Sequence, residues 1–152
     1  MPTMHNEWTI FGHIMVAFAI GFVIGWEREV RGAAAGDRTF ALVTTASAAV
    51  AAVWGTVAPQ TVAGLMTGVG FIGGGLVLRG ESGMVKGVTT AATIWTAAGI
   101  GVVAGSGKLM LALLIGALSL VILELRYLPG LRALDARRHL SRMTDDSPPE
   151  QM

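Results

Sequence analysis

Six ionisable residues of this 152-residue chain lie where chemistry is conceivable. The stretch "WEREVRGAAAGDRT" carries Glu27, Arg28, Asp37 and Arg38, and "LRGESGMVK" carries Arg79 and Glu81. Ionisable groups at the edge of an apolar run, facing inward, often mark ion or proton paths. On that reading Glu27 and Asp37 accept protons or cations, and Arg28, Arg38 and Arg79 are their counter-charges. A structural account is open for the same residues. Glu27 and Arg31 are spaced i, i+4 and can pair along one helix. Asp37 can cap the N-terminus of the next.

Other chemistries find little support. The chain has no cysteine, so disulfides, thiol nucleophiles and thiolate metal sites are excluded. His5, His13 and His139 lack metal-ligand spacing. Magnesium prefers oxygen ligands and keeps several waters. The carboxylate spacing here gives such a site no support, and the adjacent arginines oppose a standing cation. No nucleophile–base arrangement is legible. The chain is not expected to be an enzyme, to hold a cofactor or to bind nucleic acid.

Residues 68–75, "GVGFIGGG", match the dinucleotide pattern G-x-G-x-x-G. That fingerprint works between a strand and a helix, with an acidic residue about 20 positions on. Here the glycines sit inside a run without charge from Thr39 to Leu78, and Glu81 follows too soon. The alternative is helix packing in lipid, where small residues let backbones approach closely. Gly64/Gly68, Gly70/Gly74, Gly21/Gly25 and Ala97/Gly101/Gly105 all have small-xxx-small spacing. Gly73, Gly74 and Gly75 admit a second role, as a locally unwound segment that opens backbone groups to a ligand.

Composition fixes the setting. Hydrophobic residues make up 53% and charged residues 14%, against about 25% charged in soluble domains. Mean hydropathy is +0.62. A small soluble protein needs more polar surface than this, so lipid is the expected solvent. The N-terminus lacks the basic region of a signal peptide, and Trp8–Trp26 is read as a retained transmembrane helix. A helix over the uncharged forty-residue run would reach about 60 Å, twice a bilayer core. It must fold back, and Pro59 in "VAPQT" marks the break. The expected spans are therefore Trp8–Trp26, about Thr39–Ala58, about Thr61–Leu78, Gly87–Gly107 and Leu109–Leu123. The fold class is an all-α helical membrane bundle with glycine-rich packing faces. Residues 1–126 form its transmembrane domain and 127–152 a short basic tail with a disordered end.

Charge tests the count. Five spans place Arg28, Arg31, Arg38, Arg79, Lys86, Arg126, Arg132, Arg137, Arg138 and Arg142 on one side and Lys108 alone on the other. Lys/Arg-rich loops are cytoplasmic, so the N-terminus is outside and the C-terminus inside. In the fourth span Thr89, Thr93 and Thr96 share a face at i, i+4, i+7. They either hydrogen-bond a neighbouring helix or line a polar path. Trp95, deep in the same span, is expected to fill space against small residues.

Three stretches together resemble the MgtC/SapB family of bacterial inner-membrane proteins. They are "GFVIGWEREVRGAAAGDRTFALVTTASA", "GVGFIGGGLVLR" and "VKGVTTAATIWTAAGIGVVAGSG", in the family's order and spacing over roughly residues 10–125. The resemblance implies a multi-helix membrane domain. It implies roles in growth at low magnesium, acid or host stress and virulence, in some members through restraint of ATP synthase. Better-known members carry a soluble C-terminal domain resembling ACT domains. Functions that need that domain are not expected of residues 127–152. The leading expectation is a membrane-embedded regulatory or interaction protein, homo-oligomeric through its glycine faces, a dimer above all. The alternative is a small ion or proton transporter or channel, with Glu27, Asp37 and the threonine face along its path.

Overall fold

In the computed structural model, residues 4–79 and 85–125 are described, with side chains for 6–77 and 85–125. Five helices fill this range: α1 (Met4–Val30), α2 (Asp37–Trp54), α3 (Pro59–Gly75), α4 (Val88–Gly105) and α5 (Leu109–Glu124). The all-α expectation holds, and each expected span has its helix. Between α3 and α4 a short antiparallel ladder joins β1 (Leu78–Arg79) to β2 (Val85–Lys86), pairing Leu78 with Lys86 and Arg79 with Val85. Strands of two residues have no periodicity to read, so they were not expected. Residues 1–119 form one compact unit and 120–152 a second, of which 120–125 are described. The expected basic tail, Glu81, and the side chains of Arg79 and His5 lie outside the described residues.

The breaks follow local chemistry. Pro59 opens α3, where its missing N–H is not needed and its fixed φ already suits a helix. Gly87 precedes α4 with φ +89, and an added Cβ there would collide with the Leu76 carbonyl. A side chain is excluded on both counts.

The centre of the bundle is α2, packed on α1 and α4, with α3 lying against α4 and α2. Its buried residues are Phe40, Ala41, Thr44, Ser47, Ala48 and Ala51, the 3–4 spacing of one helical face. Small side chains bring the three helices together. An added Cβ at Gly21 of α1 would strike the Thr44 hydroxyl and lie 2.8 Å from the Phe40 carbonyl oxygen. At Gly25 it would lie 2.8 Å from the Gly36 oxygen, and at Gly101 of α4 it would strike the Thr44 carbonyl. At Gly105 it would overlap the Ala48 carbonyl and lie 2.8 Å from the Ala48 Cα.

The outer surface is apolar. Trp8, Leu42, Phe71 and Leu114 are 70%, 70%, 86% and 60% exposed, a pattern that a water-facing surface avoids over large areas. By length and composition, Asn6–Val30 and Val88–Gly105 are long and apolar enough to cross a membrane. Only 22% of an 18-residue apolar window in the first is buried, unlike the mostly buried core helix of a globule. Trp95 corrects an expectation: it is 53% exposed rather than packed among small residues. The buried stripe of α4 runs through Thr93, Ile94, Ala97, Ala98 and Gly101, and position 95 falls on the opposite face.

Candidate functional site

The charged residues gather where α1 runs into the loop before α2. Glu27 lies in the last turns of α1 with its side chain 11% exposed. Its carboxylate stands 3.7 Å from Arg28 Nη1 and 3.6 Å from Arg31 Nε. The i, i+4 pair expected from spacing is present. Neither Glu27 oxygen nor Arg28 Nε has a hydrogen bond. Charge-assisted bonds close to about 2.7–2.9 Å, so this cluster is held by charge rather than by fitted hydrogen bonds.

Asp37 and Arg38 belong to a different group of contacts. The residue preceding α2 is Gly36, so Asp37 is the first helical residue and not its cap. Its Oδ1 accepts the Arg38 N–H at 2.5 Å. The capping role falls to Glu29, whose Oε2 accepts the Asp37 N–H at 3.2 Å. An added Cβ at Gly36 would strike that same Glu29 carboxylate. Glu29 was missed as a site residue because its partner lies eight positions on, outside any helical spacing. The clue in the sequence is Gly36, a residue without a side chain directly before the helix that Asp37 was expected to cap. Among the described residues, no ion pair joins Asp37 or Arg38 to Glu27 or its arginines. Arg28 is therefore in salt-bridge contact with a carboxylate, and Arg38 is not.

The glycines divide into two sets. Gly21, Gly25, Gly101 and Gly105 are consumed inside the α1–α2–α4 seam. In α3, Gly73 is buried 3.4 Å from the Ala91 carbonyl, measured from an added Cβ, while Gly64, Gly68, Gly70, Gly74 and Gly75 meet nothing within 4 Å. Gly64, Gly68, Phe71 and Gly75 share a face opposite Gly73 at helical spacing. Helix α3 continues through Gly75, and its last turn closes with the Leu76 N–H donating to the Gly73 carbonyl at 3.1 Å. The segment is thus helical, not unwound.

The threonines turn inward on their own helix. Thr93 Oγ1 donates to the Thr89 carbonyl at 2.6 Å and Thr96 Oγ1 to the Ala92 carbonyl at 3.0 Å. Thr89 is exposed. Thr44 of α2 likewise bonds the Phe40 and Ala41 carbonyls. Among the described residues, no group of three or more His, Cys, Asp or Glu is placed to hold a metal.

Residues 14–128 match the MgtC family. The chain is 40% identical over 105 residues to Protein MgtC of Salmonella typhimurium, covering 66% of this chain and 45% of that one. It is 36% identical over 140 residues to the proposed magnesium transporter YhiD of Escherichia coli, covering 84% and 64%. An uncharacterized Haemophilus influenzae protein is 32% identical over 130 residues, covering 76% and 55%. The chain thus spans about half the length of the curated relatives it matches. No solved structure matches it. Because the match takes in the charged hairpin, the glycine-rich α3 and the small-residue stripe of α4, the chain belongs to the MgtC family.

Proposed function

We propose that this chain is a five-span protein of the bacterial inner membrane, N-terminus outside and C-terminus inside, and that it serves a magnesium-related adaptation by contacting another membrane protein. The magnesium association comes from the relative named as a proposed transporter. The contact mode is favoured by one observation, the closed α1–α2–α4 seam. A conducting route needs connected polar groups. Here the Thr44, Thr93 and Thr96 hydroxyls each bond a carbonyl of their own helix. The helix backbones lie too close at Gly21, Gly101 and Gly105 to admit even a methyl group. The buried hydroxyls of Thr45 and Ser47 have no hydrogen-bond partner among the described residues. A homodimer through the open face of α3 is the assembly that fits this reading, since a glycine-rich helix face suits close approach of another helix.

Flux measurements test the contact mode against transport. Protein reconstituted in liposomes is expected to leave interior pH and magnesium-dye signals at the protein-free rate. Flux that disappears in Asp37→Asn would overturn the regulatory reading in favour of the transporter. The orientation has a separate check. A reporter pair fused after Arg79 should give a fluorescent cytoplasmic domain and an inactive periplasmic phosphatase, and the reverse pattern would sink the five-span arrangement.

A further inference from the structure

Two open recesses adjoin at the α1–α2 hairpin and share Glu29 and Asp37. One, of about 400 Å³, is lined by Glu29, Ala33, Gly36, Asp37, Arg38 and Thr39. The other, of about 360 Å³, adds an apolar wall from Phe22, Trp26 and Val30. Each has the size of a small-molecule site, roughly 300–1,000 Å³. Backbone amides hold one oxygen of each carboxylate, Glu29 Oε2 at 3.2 Å and Asp37 Oδ1 at 2.5 Å. Among the described residues, Glu29, Asp37 and Arg38 form no ion pair with one another or with any other group. The recesses therefore present two carboxylates and one guanidinium, none within salt-bridge distance of another, beside an aromatic wall. Trp26 in that wall is 60% exposed.

We infer that this is a binding site for a phospholipid with a primary-amine headgroup, of the phosphatidylethanolamine type. The ammonium meets the free oxygens of Glu29 and Asp37, and the phosphate meets Arg38, whose fork of donors suits phosphate oxygens. The acyl chain lies along Phe22, Trp26 and Val30. Charge complementarity selects the occupant. A purely anionic headgroup meets two carboxylates. A quaternary amine has no N–H to donate to them. A soluble zwitterion satisfies the charges but leaves the aromatic wall in water, whereas Trp at a membrane interface sits at headgroup level. The inference rests on the membrane reading above, which puts the α1–α2 loop at the cytoplasmic headgroups.

The test is competitive lipid retention. The full chain is purified from membranes, and its incorporation into nanodiscs checks the membrane reading by itself. Incorporated protein is then exchanged against an equal mixture of phosphatidylethanolamine, phosphatidylglycerol and phosphatidylcholine with the same acyl chains, and retained lipid is read by native mass spectrometry. Phosphatidylethanolamine should be retained about fivefold over each competitor, as expected of charge-assisted hydrogen bonds to an ionised partner. Glu29→Gln and Asp37→Asn keep an oxygen for the backbone amide and should abolish the preference. Arg38→Gln should weaken retention of all three lipids. Equal retention of the three, a preference for the anionic lipid, or a preference that survives both carboxylate variants would each overturn the proposal.

Discussion

Gly105→Ala is expected to destabilise the protein by about 3 kcal/mol, the upper part of the range for overpacking a filled core. The reason is the identity of what the new methyl would meet. At Gly105 these are the carbonyl oxygen, carbonyl carbon and Cα of Ala48. A side chain could swing aside, but a helix backbone cannot, so α4 and α2 must separate along the whole seam. Separation forfeits contacts of Ala97, Ala98, Ala104 and Ala48, all fully buried, and in lipid such packing is what holds helices together. Thermal unfolding in detergent should report a drop of roughly 10 °C. The counterpart is Gly68→Ala in α3. Nothing lies within 4 Å of its added Cβ, so the substitution should raise helix stability by up to about 1 kcal/mol. Gly68→Leu should leave the single chain folded and abolish the proposed α3 dimer, read by crosslinking in membranes. Equal losses at Gly105 and Gly68 in a demonstrably monomeric preparation would contradict the division of the glycines into closed and open sets.

That division marks the limit of what the sequence makes legible. Small-xxx-small spacing names faces where backbones can meet, and it named Gly21/Gly25 and Gly64/Gly68 alike. Spacing does not say which faces are used within one chain. That depends on the packing order: α2 packs on both α1 and α4, while α3 meets α4 and α2 on one side and leaves Gly64 and Gly68 open on the other. Helix number and limits were far more legible. The uncharged run from Thr39 to Leu78, the break at Pro59 and the charged loops all act locally, and the helices begin and end within a few residues of the expected spans. The charged hairpin was half legible. Glu27 and Arg31 pair at the i, i+4 distance that periodicity provides. Glu29 caps α2 across a loop, and no periodicity links residues on two different helices. The hydroxyls of Thr93 and Thr96 were expected to bond a neighbouring helix or line a path, and they bond their own helix instead; donor direction is a rotamer choice that spacing does not carry. In an apolar setting the nearest acceptor is the carbonyl one turn back.

Glu27→Ala should be the most damaging substitution among the charged residues, at about 2–3 kcal/mol. Removing one partner of a buried ion pair costs more than the pair contributes, because the remaining charge stays desolvated. Arg28 is 15% exposed on its side chain and its Nε already lacks a hydrogen bond. Glu27 is the carboxylate at salt-bridge distance from it. Arg31 is 32% exposed and has further interactions, so it relaxes towards water at lower cost, which sets the figure below the range for fully buried pairs. Glu27→Gln should fall in the same direction, since it keeps the shape and removes the charge. The double variant Glu27→Leu, Arg28→Met should recover most of the stability, because an apolar pair needs no desolvation. This cycle separates two roles. If Glu27 only fixes the end of α1, the double variant restores thermal stability and, under the magnesium-related role proposed above, growth at low magnesium as well. If Glu27 accepts a proton or contacts a partner, stability returns and growth does not. A single Glu27→Ala variant as stable as the parent would show that the carboxylate is solvated, and would remove the buried cluster from the account of the hairpin.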